Sequence, residues 1–300
     1  MSDPILGFVG LGVMGGGMCA NLTRKCGLPV IAYDMSSEAL AQAAEHGARP
    51  VSGLREIAGA EIVFLSLPSI SEVEGVVEEI LGGEARPRVI VDMSTSDVSR
   101  TRALADRVKE QGVTFVDAPV ARTRQAANDG TLLITVGAEP AEYDRLLPLL
   151  SCMGSDVVHA GPSGSGQLFK ILNNMVVFMN VNALAEALAI GRRAGVDGKS
   201  LFEALSMGSA DSFILRRTAT ATMIPDEFPE QAFPTNYAIK DLALALTLAD
   251  DVGITASGAH QTMDLLCRTR DAGYGWKYFP AMIRVVEGRA DEEDGVGSGR

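Results

Sequence analysis

A lysine and several asparagines interrupt a long apolar segment in the middle of the chain. The segment runs from Leu168 to Ile190 and carries Lys170, Asn173 and Asn174 near its start. On a helix, both asparagines lie within about 60° of Lys170, so the three polar groups share one face. Burial lowers the pKa of a lysine from about 10.4 toward neutrality, where the amine can exchange a proton with an alcohol. The pattern predicts a general acid–base with Asn174 holding an oxygen; a polar seam between helices is the alternative.

A glycine-rich turn follows a short apolar run near the N-terminus. It reads Gly10-Leu11-Gly12-Val13-Met14-Gly15 and opens a predicted helix. In this context Gly10 permits the tight turn, Gly12 lets the backbone approach a pyrophosphate, and Gly15 lets the helix pack closely on the strand. Free N–H groups at the start of the helix would bind the phosphates. A tight turn without a ligand is the alternative.

An acidic residue closes the second predicted strand. Asp34 stands 19 residues after Gly15, where a carboxylate can accept hydrogen bonds from the ribose hydroxyls of an adenosine. The residues that follow it, Met35, Ser36 and Ser37, include no arginine to bind a 2′-phosphate. The pattern therefore predicts a dinucleotide site that takes NAD in preference to NADP. A solvated residue at the end of a strand is the alternative for Asp34.

Two further polar loops follow predicted strands of the same sheet. They are Leu67-Pro68-Ser69 and Ser94-Thr95-Ser96. Ligands of doubly wound sheets bind outside the carboxyl ends of the strands, so we expect both loops to border the cofactor. Ordinary loop polarity explains each of them when it is taken singly.

The elements that must position these residues fall into two halves. From residue 5 to about 160, short β-branched runs alternate with helix-like segments, which predicts a mostly parallel sheet covered by helices on both faces. The predicted strands are Ile5–Gly10, Val30–Asp34, Ile62–Leu67, Val89–Met93, Phe115–Val120 and Leu132–Gly137. The later predicted elements are helices, at Gln167–Ala194, Gly198–Met207, Ile239–Val252 and Ser257–Ala272.

This pattern predicts an α/β Rossmann domain, doubly wound around a mostly parallel sheet, over residues 1–164. An all-α domain is expected over residues 165–289. The acidic, glycine-rich tail at 290–300 is expected to be disordered.

The composition restricts the classes of partner and compartment. In 300 residues, 26 Lys+Arg stand against 38 Asp+Glu, and the formal charge of −12 disfavours nucleic acid. The four cysteines lack C-x-x-C spacing and the three histidines lack ligand spacing, so we expect reduced thiols and no metal. No signal segment precedes the first strand, and polar residues interrupt the long apolar segment. These features predict a cytoplasmic protein with no membrane partner.

Several motifs, taken in order, resemble those of the β-hydroxyacid dehydrogenase family, which includes 3-hydroxyisobutyrate dehydrogenase, tartronate semialdehyde reductase and short relatives of 6-phosphogluconate dehydrogenase. The resemblance covers residues 5 to 288. Its motifs are the glycine turn at 10–15, Asp117-Ala118-Pro119-Val120 with Gly130-Thr131-Leu132, Gly164-Ser165-Gly166 leading to Lys170 and Asn174, and Lys240-Asp241-Leu242.

The resemblance implies a Rossmann domain joined to a helical domain by a long interdomain helix, and it implies roles for particular residues. Lys170 would be the catalytic lysine and Asn174 the amide that orients the substrate. Thr95 and Lys240 would lie near the nicotinamide end, and Phe233 would close over the cofactor. Asp241 is expected to be an ion-pair or capping residue.

The chain departs from the family pattern in one loop. Where the family usually reads Ser-Gly-Gly after Asp-x-Pro-Val and holds the substrate carboxylate, this chain reads Ala121-Arg122-Thr123-Arg124. An arginine fork suits carboxylate, sulfonate or phosphate, so Val120, Ala121, Arg122 and Thr123 are predicted to hold an anionic group. The loop is locally similar to the sulfolactaldehyde reductase-like branch. For Arg122 and Arg124, a surface ion pair with acidic neighbours is the alternative.

The motifs together predict an NAD-dependent oxidoreductase that interconverts a small anionic β-hydroxy acid and its semialdehyde. Lys170, Asn173 and Asn174 would contact the substrate, with Lys170 as general acid–base. A reductase that works mainly toward the alcohol, on succinic semialdehyde or sulfolactaldehyde, is one alternative. A dinucleotide-binding sensor without chemistry is another. The long helix and the apolar helical half predict a homodimer or homotetramer.

Overall fold

The structure, a computed structural model, describes residues 4–230 and 232–289. The chain forms two compact units, Met1–Lys170 and Ile171–Arg300. The boundary between them falls inside the long helix, a few residues after the boundary that the sequence predicts at residue 164. The predicted tail at 290–300 lies outside the described residues.

The first unit is built on one mostly parallel sheet. Among the described residues its strands are β1 (Leu6–Val9), β2 (Val30–Tyr33), β3 (Arg49–Pro50), β4 (Ile62–Leu65), β5 (Val89–Asp92), β6 (Thr114–Asp117), β7 (Val120–Ala121), β8 (Leu132–Gly137) and β9 (Gly154–Gly161). They lie in the order β3-β2-β1-β4-β5-β6-β8-β7, and β9 pairs with β8. Pairing is parallel from β3 to β6, antiparallel where β8 meets β6 and β7, and parallel between β8 and β9. The predicted fold class is confirmed.

The central strands are buried on both faces. Successive residues alternate between two apolar clusters, so that Phe8 and Phe64 belong to one and Val9 and Leu65 to the other. Strands whose residues are apolar without alternation are typical of a parallel sheet covered by helices on both sides.

The helices of the first unit begin where the loops after the strands supply a cap. They are α1 (Gly15–Lys25), α2 (Ser37–Glu45), α3 (Leu54–Ile57), α4 (Ile70–Leu81), α5 (Val98–Glu110), α6 (Arg124–Asp129) and α7 (Pro140–Leu150). Ser36, Asp97 and Thr123 accept hydrogen bonds from backbone N–H groups in the first turns of α2, α5 and α6. Such side chains satisfy donors that the helix itself leaves unpaired.

The sequence prediction differs from the structure around β6 and β9. The strand predicted at Phe115–Val120 is broken into β6 and β7, because Pro119 lies between them and has no N–H for the ladder. The prediction missed β9, which is largely exposed along its length. Its mixed polar sequence carries no buried-strand pattern, and only its pairing with β8 defines it.

The second unit is helical. Its elements are the end of α8 (Ser165–Arg193), α9 (Gly198–Met207), a π-helical turn (Leu215–Ala219), α10 (Thr220–Thr222), α11 (Thr235–Asp251), α12 (Ser257–Thr269), a second π-helical turn (Arg270–Tyr274), a 3₁₀ turn (Phe279–Ala281) and α13 (Met282–Glu287). The four predicted helices are present. Helix α11 begins earlier than predicted, directly after Pro234, because proline is tolerated where a helix starts.

Helix α8 also meets the length and hydropathy criteria of a membrane-crossing helix. Long core helices of soluble proteins meet the same criteria. Its polar residues, among them Lys170, Asn174 and Asn182, lie on a helix whose most apolar window is 39% buried inside the protein.

The four cysteines are free thiols, as the sequence predicts. Cys19 is fully buried in the core around α1, and burial raises its pKa to about 12, so this thiol stays protonated. The compartment in which the protein works stays a prediction from the sequence.

Candidate active site

The glycine turn joins β1 to α1, and its glycines differ in their surroundings. A Cβ at Gly15 would lie 1.9 Å from the carbonyl oxygen of Gly10, and a Cβ at Gly10, where φ is +89°, would lie 2.2 Å from that of Ser66. Both positions therefore exclude a side chain. A Cβ at Gly12 would meet nothing within 4 Å, and Met14 supplies no side-chain cap to α1. An open approach to uncapped N–H groups fits the pyrophosphate of a dinucleotide.

Asp34 follows β2 and lies against the glycine turn. Its Oδ2 accepts a hydrogen bond of 2.6 Å from the N–H of Leu11, and its Oδ1 accepts one of 2.8 Å from Ser36. These two bonds fix the carboxylate, and each oxygen keeps a lone pair for a ribose hydroxyl. The next side chain, Met35, is 95% exposed and carries no charge that could bind a 2′-phosphate.

The two loops after β4 and β5 are tied together and to the start of α8. The N–H of Leu67, the residue before Pro68, donates to Ser94 Oγ over 2.9 Å. Gln167 accepts from the N–H of Ser96 over 2.9 Å and donates to the carbonyl of Ser94 over 2.8 Å. Half-buried Thr95 is thus held between two residues that the fully buried Gln167 fixes. Gln167 was not among the residues predicted from the sequence.

Asp117 fixes the first turn of α8. Its Oδ1 accepts from the N–H of Gly164 over 2.7 Å, and its Oδ2 accepts from that of Gln167 over 2.9 Å. Burial raises the pKa of Asp117 to about 6 although these hydrogen bonds act in the opposite direction. Burial also raises the pKa of the nearby Asp92. Asp117 therefore caps the helix that carries Lys170.

Lys170 and Asn174 lie one turn apart on α8. Lys170 is half-buried, whereas Asn174 is buried and donates through Nδ2 to Asp241 Oδ2 over 2.7 Å. Exposed Asn173 donates to Asn174 Oδ1 over 3.1 Å. The ammonium of Lys240 lies 3.0 Å from Asp241 Oδ1, which confirms the ion pair predicted for Asp241. The carboxylate of Asp241 therefore orients the amide of Asn174.

Phe233 lies in an aromatic cluster of the second unit. Its ring centroid is 6.1 Å from that of Phe178 on α8, 6.1 Å from that of Tyr237 and 6.2 Å from that of Phe279. Phe233 is itself half-buried. Its closure over a cofactor stays a prediction.

The loop Val120–Arg124, whose first four residues are predicted to bind the substrate, begins in β7. Val120 and Ala121 pair with β8, and Thr123 Oγ1 accepts from the N–H of Ala126 at the start of α6. The guanidinium of Arg122 donates to Asp156 Oδ2 over 2.7 Å, so this arginine has the surface ion pair that was the alternative to substrate binding. Arg124 is exposed, and its guanidinium has no ion-pair or hydrogen-bond partner within residues 4–230 and 232–289.

Comparison with known proteins assigns the chain to a family. The sequence model of the NAD-binding domain of 6-phosphogluconate dehydrogenase matches residues 5–161, and that of the NAD-binding domain of NADP-dependent 3-hydroxyisobutyrate dehydrogenase matches residues 164–286. The 2-(hydroxymethyl)glutarate dehydrogenase of Eubacterium barkeri is 32% identical over 286 residues, which cover 94% of either chain. This chain belongs to the β-hydroxyacid dehydrogenase family.

Two further relatives of this β-hydroxyacid dehydrogenase support the same family assignment. Human mitochondrial 3-hydroxyisobutyrate dehydrogenase is 33% identical over 301 residues, which cover 95% of this chain and 87% of the human one. The structure of 3-hydroxyisobutyrate dehydrogenase from Mycobacterium tuberculosis, solved with L-serine, matches with a TM-score of 0.86 at 28% identity, covering 95% of this chain and 99% of the other. The chain is therefore an NAD(P)-dependent oxidoreductase that acts on the CH–OH group of hydroxy acids.

The structure brings the predicted residues of this dehydrogenase together in two groups. In the first unit, the glycine turn lies with Asp34, and Leu67 and Thr95 are linked through Gln167. In the second, Asn174 lies with Asp241 and Lys240. No group of three or more His, Cys, Asp or Glu side chains able to hold a metal occurs in the part of the chain that the structure describes.

The sequence analysis did not predict the positioning roles of three residues at this site. Gln167 follows the Gly164-Ser165-Gly166 motif directly, so its position beside the family motif was an available signal. Asp117 was part of a motif, but its role as a cap depends on the packing of α8 against β6. Asp156 gave no signal, because only the pairing of β8 with β9 brings it near Arg122.

Proposed function

We propose that this dehydrogenase interconverts a small anionic β-hydroxy acid and its semialdehyde, with NAD as cofactor and Lys170 as general acid–base. In oxidation, Lys170 accepts the proton of the substrate hydroxyl, and in reduction it returns a proton to the same oxygen. When bound, the nicotinamide takes the hydride from the carbon that carries the hydroxyl. The proposal rests above all on Asn174, whose amide Asp241 holds one helical turn after Lys170.

The hydrogen bonds of Asn174 fix the direction in which its amide points. Nδ2 donates one hydrogen to Asp241, and Oδ1 accepts from Asn173. The bond from Nδ2 to Asp241 fixes the orientation in which this amide can meet a substrate oxygen. We propose that the amide, held in this orientation, donates to the substrate oxygen when substrate binds, while Lys170, on the same helix face, exchanges the proton.

The relatives and the loop at Val120–Arg124 support the proposed class of substrate. Two relatives are named for 2-(hydroxymethyl)glutarate and 3-hydroxyisobutyrate, and both acids carry a hydroxyl on the carbon β to a carboxylate. We propose that the present enzyme takes the same class and that this loop meets the anionic end. The guanidinium of Arg124, which has no partner among the described residues, supplies a positive charge there.

NAD is the proposed cofactor because Asp34 stands at the ribose position without a nearby arginine in the sequence that follows. A carboxylate fixed by two N–H donors favours hydroxyls and repels a 2′-phosphate. We expect kcat/KM with NAD to exceed that with NADP by at least about tenfold. Equal values for the two cofactors would contradict this part of the proposal.

The catalytic role is tested by replacing the lysine. Lys170→Met should lower kcat by about 10²-fold or more, the usual contribution of a general acid–base, and leave NADH affinity nearly unchanged. Lys199→Met, on an exposed lysine of α9, is the matched control and should keep full turnover. Turnover in Lys170→Met close to that of the control would refute the role of Lys170.

A screen of substrates separates the alternatives. Hydroxy acids that differ only in the distal anion are offered with NAD, and the corresponding semialdehydes are offered with NADH. Oxidation of a β-hydroxy acid supports the proposal, and reduction without measurable oxidation indicates a reductase. NADH binding without turnover of any compound would indicate the sensor.

We also propose that the protein associates with itself through α8. Phe169, Leu172, Val176 and Ile190 are exposed apolar side chains spaced three, four and fourteen residues apart along this helix. An identical helix in a second copy would cover them with matching apolar surface. Sedimentation velocity should give a dimer or tetramer, and a monomer at micromolar concentration would contradict this.

A further inference from the structure

Arg122 has a backbone conformation that is unusual for its residue type. It follows β7 with φ at +89°, the left-handed region that favours glycine. A residue with a Cβ keeps such a conformation only where its surroundings hold it. The side chain of Arg122 makes contacts that can hold it there.

The guanidinium makes three hydrogen bonds to one neighbouring surface. Nη1 donates to the carbonyl of Thr131 over 2.6 Å and to Ser155 Oγ over 2.8 Å, and Nη2 donates to Asp156 Oδ2 over 2.7 Å. Ser155 also donates to the same carboxylate oxygen over 2.8 Å. The hydrogen bonds from Ser155 and Arg122 lower the pKa of Asp156, so its carboxylate stays ionised at neutral pH.

The sheet register explains why these groups meet. Ala121 on β7 pairs with Leu133 on β8, and Leu133 pairs with Asp156 on β9. The register shifts after Leu132, so that Ser155 is an extra residue on β9. Arg122, directly after Ala121, therefore reaches across β8 to the irregularity on β9 and finds two side-chain partners there.

We infer that Arg122 is a positioning residue that clamps the substrate loop Val120–Arg124 to β9, and that it does not itself bind the anionic end of the substrate. An anion bound by the N–H groups of Arg122 that these bonds do not use, on Nε and Nη2, would lie beside the carboxylate of Asp156, which repels it. The inference rests on the proposed function insofar as the loop is taken to meet the substrate. The clamp then sets the shape in which Thr123 caps α6 and the loop faces its ligand.

Asp156→Asn distinguishes the two roles because they predict opposite effects. If Arg122 is a clamp, the variant loosens the loop, and KM for the hydroxy acid rises about tenfold while KM for NAD stays within about twofold. If Arg122 binds the substrate, removal of the competing carboxylate lowers that KM or leaves it unchanged. The second result would overturn the inference.

Exchange of the two charged residues tests whether a reversed ion pair restores the KM for the hydroxy acid. In the double variant Arg122→Asp with Asp156→Arg, aspartate tolerates positive φ better than arginine does, and the ion pair can form in the reverse sense. The clamp predicts that KM for the hydroxy acid returns to within about threefold of the wild-type value. A substrate-binding role predicts a further rise in KM, because a carboxylate at position 122 repels the anion.

Amide hydrogen exchange over residues 118–131 tests the clamp without turnover. Arg122→Gln and Asp156→Asn should both speed exchange in this segment about tenfold. Arg124→Gln removes the same charge from the same loop without touching the clamp, and exchange should then stay at the wild-type rate. Unchanged exchange in the first two variants would overturn the clamp, whereas failure to turn over any hydroxy acid would instead contradict the proposed function.

Discussion

The glycine turn at residues 10–15 and the substrate loop at Val120–Arg124 both follow strands of one sheet, yet different contacts fix them. In the glycine turn, backbone lies against backbone, since a Cβ on Gly15 would reach the carbonyl of Gly10. In the substrate loop, the side chain of Arg122 holds a backbone that is not glycine. The close approach of Gly15 to Gly10 leaves no room for any residue other than glycine. The pair of Arg122 and Asp156, in contrast, could be replaced by another pair of side chains that bond to each other. A fold can therefore keep its cofactor site while its substrate loop changes.

The largest effect is expected where backbone packs against backbone. Gly15→Ala places a methyl group 1.9 Å from the carbonyl oxygen of Gly10, and no side-chain movement relieves that contact. We expect the free energy of unfolding to fall by about 3 kcal/mol or more and NADH binding to be lost. Urea unfolding and NADH fluorescence titration measure the two effects.

Gly75→Ala is the matched control for this prediction. Gly75 lies within α4, where a Cβ would meet nothing within 4 Å. Alanine forms helices better than glycine, so this variant should gain up to about 1 kcal/mol and bind NADH normally. Similar losses in both variants would mean that the close approach of Gly15 to Gly10 is not what restricts the turn.

The glycine turn and the substrate loop also differ in how much of their structure the sequence could predict. The parallel strands and the glycine turn follow from local patterns, because each depends on residues within about ten positions of one another. The partners of Arg122 depend on the register shift in β9, a strand with no apolar pattern of its own. Asp241 was recognised as an ion-pair residue, but its hold on Asn174 depends on how α8 packs against α11.

A second prediction concerns a side chain that holds the cofactor side of the site. Gln167→Leu keeps most of the volume but leaves the buried N–H of Ser96 and the carbonyl of Ser94 without their partner. Each unpaired buried group costs about 1–3 kcal/mol, so we expect a loss of about 2–4 kcal/mol in unfolding free energy. Because Thr95 lies between these residues, KM for NAD should rise as well, which steady-state kinetics would measure.

Gln125→Leu is the control for Gln167→Leu. Gln125 is exposed on α6, where its side chain bonds only to Asp129 among the described residues. A surface change of this kind usually alters stability by less than about 0.5 kcal/mol. If Gln167→Leu proved equally harmless, the other hydrogen bonds of the loop at Ser94–Ser96, from Leu67 to Ser94 and from both serines to Asp92, would suffice to hold it.

The smallest predicted effect is the pH dependence that Asp117 gives to the same junction. Its pKa is raised from 3.8 to about 6 in the folded chain, chiefly by burial and in part by the neighbouring Asp92. Between about pH 4 and pH 6 the folded chain therefore binds a proton that the unfolded chain has lost. The stabilisation is complete below pH 4 and disappears as pH rises through 6, a change on the order of 2 kcal/mol.

Comparison of wild type with Asp117→Asn isolates the contribution of Asp117 to the pH dependence of stability. Ion-paired acids elsewhere make the protein more stable as pH rises, but both proteins contain them. The amide can accept only one of the two N–H groups from Gly164 and Gln167, so the variant is less stable at every pH. Urea midpoints from pH 4 to 7 should show the deficit shrinking as pH rises, because only the wild type loses the contribution of its buried acid. A constant deficit would mean that the pKa of Asp117 is not raised by folding, and a deficit that grows with pH would mean that its hydrogen bonds outweigh burial. Asp264→Asn, on an exposed acid of α12, is the control and should follow the wild-type curve.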